Sequence, residues 1–173
     1  PDDNSRKNLL ALREAIKENN ILQEQQQQLE MQSTLRTAVY MLETIRNYAS
    51  RRNSLQSQYE SMKRDSRSAK GETLATLRRI MNTAEQGLEQ FRTGIDRSLS
   101  FYRTRVEEAA RLDKDDFERA LAGLLKDYAG EDLFNENMRR NAELLRQHVQ
   151  NERAGKLPAG RAMLQEILET RSK

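Results

Sequence analysis

The most constraining feature of this chain is a narrow apolar stripe between Leu74 and Val106. Its members recur at alternating steps of three and four residues, with one small shift of phase near the end: Leu74, Leu77, Met81, Ala84, Leu88, Phe91, Ile95, Leu99, Tyr102 and Val106. This spacing places them on one side of an α-helix and is typical of a coiled-coil seam. Because the stripe is narrow, we expect another long helix beside it at a shallow angle.

The partner for that stripe is predicted from the first part of the chain. The stretch Leu9–Ala69 contains neither Pro nor Gly, so one helix of roughly 60 residues, about 90 Å long, is allowed. Its apolar residues follow the same rhythm at Met31, Leu35, Ala38, Leu42 and Ile45 and, after a slip near Tyr48, continue it at Leu55, Tyr59 and Met62. Residues 63–73 lose the pattern and contain Gly71, which favours a turn. We therefore predict an antiparallel helical hairpin that reverses near Gly71.

Three shorter helices are predicted in the rest of the chain. Asp113, followed by two more aspartates, is typical of a helix N-terminus, and we expect these carboxylates to cap the helix rather than bind a cation. Gly130 marks the end of that helix. A fourth helix runs from Leu133 to just before Gly155, and a fifth carries Met163, Leu164, Ile167 and Leu168.

The predicted fold is therefore all-α, a long antiparallel coiled-coil hairpin with a small helical head. We expect residues 32–111 to form the stalk. Residues 5–31 together with 112–173 form the head, and the whole is one continuous structural unit. The composition, with 33% charged and only 5% aromatic residues, is typical of long solvated helices. Periodic apolar residues and charges of mixed sign argue against disorder.

Residue counts exclude several classes of catalytic and metal site. The chain has no Cys, and His148 is its one His, so Cys/His zinc sites and Cys–His nucleophilic pairs cannot form within one chain. No glycine motif for phosphate binding occurs. His148 and Glu152 lie one turn apart, and we expect a surface or half-buried histidine paired with a carboxylate rather than a metal site. We expect no enzymatic activity, no cofactor, no metal and no small-molecule substrate.

Basic residues are concentrated around the predicted reversal. Between Arg46 and Arg79 there are nine basic and three acidic residues, a net charge of +6, against +3 for the whole chain. The candidate partner-binding residues are Arg51, Arg52, Lys63, Arg64, Arg67 and Lys70. Such a patch attracts nucleic acid, an anionic membrane or an acidic protein surface. The alternative is a solvated helix end whose charges keep the molecule soluble.

The expected function is that of a structural or adaptor protein that acts through protein–protein contacts or self-association. Such a protein would be a component of a larger assembly such as secretion or phage machinery. One alternative is a nucleic-acid-binding coiled coil that uses the basic turn. The other is an extracytoplasmic helical bundle of a receptor or secretion system, with a signal or anchor upstream of Pro1. Absence of Cys fits the cytoplasm and export alike, so composition assigns no compartment. Phe134 or Met138 could add an apolar anchor, although we expect both to pack in the core.

Overall fold

The protein is all-helical over the residues that the computed structural model describes, which are 2–156, 161 and 165. Four helices are present in this part of the chain, and it contains no strand: α1 Asp2–Ser66, α2 Gly71–Ala110, α3 Lys114–Asp127 and α4 Leu133–Arg153. At 1.5 Å per residue, α1 is about 97 Å long and α2 about 60 Å. The all-α prediction is confirmed. The predicted fifth helix, at residues 163–168, lies outside the described residues.

The reversal between α1 and α2 occupies residues 67–70, close to the predicted position. The backbone N–H groups of Arg67 and Ser68 donate to the carbonyls of Arg64 and Asp65, at 3.2 and 3.3 Å, and close the last turn of α1. Gly71 then begins α2 with a φ of 64°. Residues with a side chain rarely adopt this left-handed conformation, so glycine permits the sharp change of direction.

Three pairs of neighbours define how α1 and α2 lie beside each other. The Tyr59 hydroxyl donates to Glu85 at 2.7 Å. Leu55 fills the space over Gly87, where an added Cβ would lie 2.9 Å from its side chain. Tyr48 packs 6.4 Å from the ring of Phe91. Residue numbers fall along α1 as they rise along α2, so the two helices run in opposite directions, and the paired numbers sum to about 142.

The core lies where all four helices meet. It is built from residues 35–49 of α1, the second half of α2, and the inner faces of α3 and α4. Its largest fully buried side chains are Tyr102, Leu35, Leu42, Ile45, Leu121, Leu124, Met138, Leu145, His148, Val39 and Val106. The apolar stripe of α2 is buried or half-buried along its full length, as its spacing indicated.

Short connections determine the placement of α3 and α4. Only residues 111–113 separate α2 from α3, and after this short connection α3 packs against α1 and α4 rather than along α2. The Asp113 carboxylate accepts from the backbone N–H groups of Asp115 and Asp116, at 2.9 and 3.4 Å, so the predicted N-cap is confirmed. Asp132 caps α4 in the same way, accepting from Phe134 N–H at 2.9 Å.

The short helices contact α1 further along than we expected. In α3, Asp127 pairs with Arg36 at 2.7 Å, and in α4 the Asn141 amide donates to Glu43 at 3.0 Å. Residues 2–27 of α1 are exposed, although the sequence placed residues 5–31 in the head. The head of residues 5–31 with 112–173, and the stalk of 32–111, stay predictions because much of 157–173 lies outside the described residues.

Candidate interaction surfaces

The first candidate surface is residues 2–27 of α1, here called the N-terminal segment. All of these residues are exposed, and the segment extends about 39 Å as a helix. Its six large apolar side chains are between 52% and 62% exposed: Leu9, Leu10, Leu12, Ile16, Ile21 and Leu22. Single exposed apolar residues are normal on protein surfaces, but six on one segment make it a candidate interaction surface.

Three of the six apolar residues share one side of the N-terminal segment, here called the apolar side, and the other three lie elsewhere around the helix. Leu9, Leu12 and Ile16 follow one another at steps of three and four, so they lie on the same side of the helix. This spacing is the one that apolar helix faces use to pack on a partner. An isolated helix in water gains little stability from its own hydrogen bonds. A helical partner along this side would bury Leu9, Leu12 and Ile16 and stabilise the segment.

The second candidate surface is the turn between α1 and α2 with its flanking helix ends, residues 63–79, here called the basic end. Its cations are all exposed: Lys63, Arg64, Arg67, Lys70, Arg78 and Arg79. The register of α1 against α2 places Lys63 and Arg64 level with Arg79 and Arg78, since each pair sums to 142. The basic end therefore brings together cations from both helices and from the turn.

The six predicted binding residues fall into two groups. Lys63, Arg64, Arg67 and Lys70 belong to the basic end. Arg51 and Arg52 lie eleven or more residues earlier on α1, at least about 16 Å from Lys63. Arg52 is half-buried, because it continues the spacing of Tyr48, Leu55 and Tyr59 toward α2, and it donates to the Asn53 side chain at 3.2 Å. The apolar spacing of α1 therefore already indicated that Arg52, unlike the exposed cations, lies on the side of α1 that faces α2.

Several arginines outside the basic end form ion pairs with carboxylates. Seven arginines elsewhere form ion pairs with carboxylates: Arg36, Arg92, Arg105, Arg119, Arg139, Arg140 and Arg146. Within residues 2–156, no cation of the basic end forms such a pair. Its positive charge is therefore available to an external anion.

The two tyrosines nearest the basic end are engaged within the fold. Tyr48 packs on Phe91, and Tyr59 is hydrogen-bonded to Glu85, which raises the pKa of the Tyr59 hydroxyl. Both rings are half-buried. Both tyrosines therefore pack within the fold, and no aromatic residue occurs between positions 63 and 79.

A smaller apolar patch lies on the four-helix part of the molecule. The Phe134 ring is 44% exposed and lies 6.0 Å from the Tyr40 ring, beside exposed Leu133. Met138, the other predicted apolar anchor, is completely buried in the core. Of these two residues, therefore, only Phe134 presents apolar surface.

His148 does not occupy the environment that we expected. It is 1% exposed, its Nδ1 lies 2.9 Å from the Tyr102 hydroxyl, and the two rings meet edge to face. Burial lowers the pKa of His148 to about 4. A neutral histidine paired with a tyrosine is a structural element of the α2–α4 contact, and sequence reasoning missed it because the two residues are 46 positions apart.

We also searched the described residues for a metal-binding cluster and for a membrane-spanning helix. Among them, no group of three or more His, Cys, Asp or Glu side chains is arranged to hold a metal ion. No helix in residues 2–156 combines the length and apolarity needed to cross a bilayer.

Comparisons with known protein families, characterised proteins and solved structures gave no match to this chain.

Proposed function

We propose that the protein is a structural or adaptor component that acts through protein–protein contacts, with no catalytic step. The observation that carries this proposal is the N-terminal segment, where six large apolar side chains are more than half exposed on a continuous helix. Contacts with a second helix would bury them, and each fully buried leucine or isoleucine contributes about 1.5–3 kcal/mol.

The proposal includes a finer description of the architecture. In it, α1 and α2 form an antiparallel coiled-coil stalk, and the shorter helices form a head on it. The buried stripe of α2 and the opposite directions of the two helices support this description. The stalk would hold the N-terminal segment and the basic end at opposite ends of α1, about 54 Å apart at 1.5 Å per residue.

The test compares two variants of equal charge change in the N-terminal segment. Leu12→Glu with Ile16→Glu places two carboxylates on the apolar side. Asn4→Glu with Ala11→Glu places two carboxylates on another side of the same helix, where none of the six apolar residues lies three or four positions away, and is the matched control. Self-association is measured by light scattering coupled to size exclusion, for a chain of 20.2 kDa. Binding to other proteins is measured by affinity capture from the native lysate, then by titration with the purified partner.

Two results support the proposal. Either the wild-type chain forms an oligomer that the apolar-side variant disrupts, or it binds a purified partner that this variant no longer binds. In both cases the control variant behaves like the wild type. A monomeric wild-type chain whose captured proteins are unchanged in the apolar-side variant contradicts the proposal.

A further inference from the structure

We propose that the basic end binds the phosphate backbone of double-stranded nucleic acid. This inference is independent of the N-terminal segment, because the two surfaces lie at opposite ends of α1. Failure of either proposal leaves the other standing.

The first argument is charge density. Six exposed cations fall within residues 63–79, against the two acidic residues Asp65 and Glu72. The α1–α2 register places four of the six at one level, and the other two in the turn, within about 12 Å along the helix axis. Duplex DNA carries one negative charge per about 1.7 Å of its axis, so several phosphates can be neutralised at once with release of counterions.

Second, no ion pair joins these cations to a carboxylate within residues 2–156. Six arginines elsewhere in the described chain pair with carboxylates one turn away, as Arg139 does with Glu136 and Arg92 with Glu89. At the basic end no such pair has to break before a phosphate is contacted. The energetic gain from counterion release is therefore not offset by loss of an ion pair.

The third argument distinguishes duplex nucleic acid from other anionic partners. Single strands are held by stacking on aromatic rings, and residues 63–79 contain none. Protein interfaces depend on buried aromatic or aliphatic anchors, whereas Leu74 and Leu77 face the α1–α2 contact and are half-buried. Membrane insertion requires an apolar wedge, which the turn lacks. A duplex backbone requires only positioned cations.

The experiment measures binding of the full chain to a fluorescein-labelled duplex of about 24 base pairs by anisotropy. If six cations contact phosphates, affinity falls about 1,000-fold between 50 and 200 mM salt. Arg64→Glu with Arg67→Glu and Lys70→Glu removes three contacts, so it lowers the slope of log K against log salt by about half. Affinity at 50 mM salt falls at least about tenfold.

The control reverses three cations of the N-terminal segment, Lys7→Glu with Arg13→Glu and Lys17→Glu, and changes the net charge by the same amount. It is expected to bind the duplex nearly as well as the wild type, and circular dichroism verifies that both variants fold. Four results would overturn the proposal. They are no duplex binding at 50 mM salt, equal losses in both variants, tighter binding to polyglutamate than to duplex, and binding to anionic phosphatidylserine vesicles alone.

Discussion

The buried His148 makes the stability of the four-helix core depend on pH in a defined window. Burial lowers its pKa to about 4 in the folded protein, against 6.5 for the exposed side chain. Between these two values the unfolded chain binds a proton at His148 and the folded chain does not. The free energy of unfolding is therefore highest above pH 6.5, and it falls as the pH falls from 6.5 toward 4.

The size of this effect follows from the two pKa values. Over the whole window the shift corresponds to about 3 kcal/mol, at 1.36 kcal/mol per pKa unit. Between about pH 7.5 and pH 5, proton uptake by the unfolded chain lowers the free energy of unfolding by about 2 kcal/mol. This is a large share of the 5–15 kcal/mol typical of a folded domain.

Urea unfolding followed by circular dichroism at these two pH values measures the loss. Carboxylates also titrate near the lower value, so the comparison needs His148→Gln, which retains a polar group toward Tyr102 but cannot take up a proton. We expect the wild type to lose about 2 kcal/mol more than this variant between the two pH values. Equal losses in the wild type and His148→Gln would refute the argument that burial excludes the proton.

Three further predictions use the same unfolding assay. Leu42→Ala removes a fully buried side chain and is expected to lower the free energy of unfolding by about 2–5 kcal/mol, whereas Leu12→Ala changes it by less than about 0.5; similar values for both would contradict the burial pattern. Gly94→Ala is expected to stabilise by up to about 1 kcal/mol, because its Cβ would meet Tyr48 at an ordinary 3.5 Å. Gly87→Ala gains less, because Leu55 lies 2.9 Å away, and a larger gain there would show that Leu55 moves freely. Asp113→Ala removes the α3 N-cap and is expected to lower the free energy of unfolding by about 1 kcal/mol, and no change would mean that the cap is dispensable.

The positions of the helices could be predicted because they depend on local signals. A stretch without Pro or Gly predicted the single long helix α1. Gly71 indicated the turn before α2, and Asp113 indicated the start of α3. Each of these residues acts on its own turn of backbone, through φ or through a capping hydrogen bond. These local signals can therefore be recognised without knowing how the helices pack.

The contacts between helices were harder to predict, because they join residues distant in sequence. The pairing of His148 with Tyr102 depends on which side of α2 is covered by α4. The pairing of Asp127 with Arg36 depends on where α3 packs along α1. The spacing of apolar residues predicts which face of a helix is buried, but it does not predict which other helix packs on that face. For the same reason, the sequence indicated a basic turn but grouped the half-buried Arg52 with the exposed cations.

The uninterrupted course of α1 has a geometric consequence for the N-terminal segment. No break separates Ile16 from Leu35 in the core, so the direction in which Ile16 points is set by the number of residues between them. Each inserted residue would rotate it by about 100° and displace it by about 1.5 Å. An insertion of seven residues restores the original azimuth to within about 20°, whereas an insertion of two turns the leucines to the far side. The number of residues between the core and the N-terminal segment would thus set the direction, relative to the core, in which Leu9, Leu12 and Ile16 point.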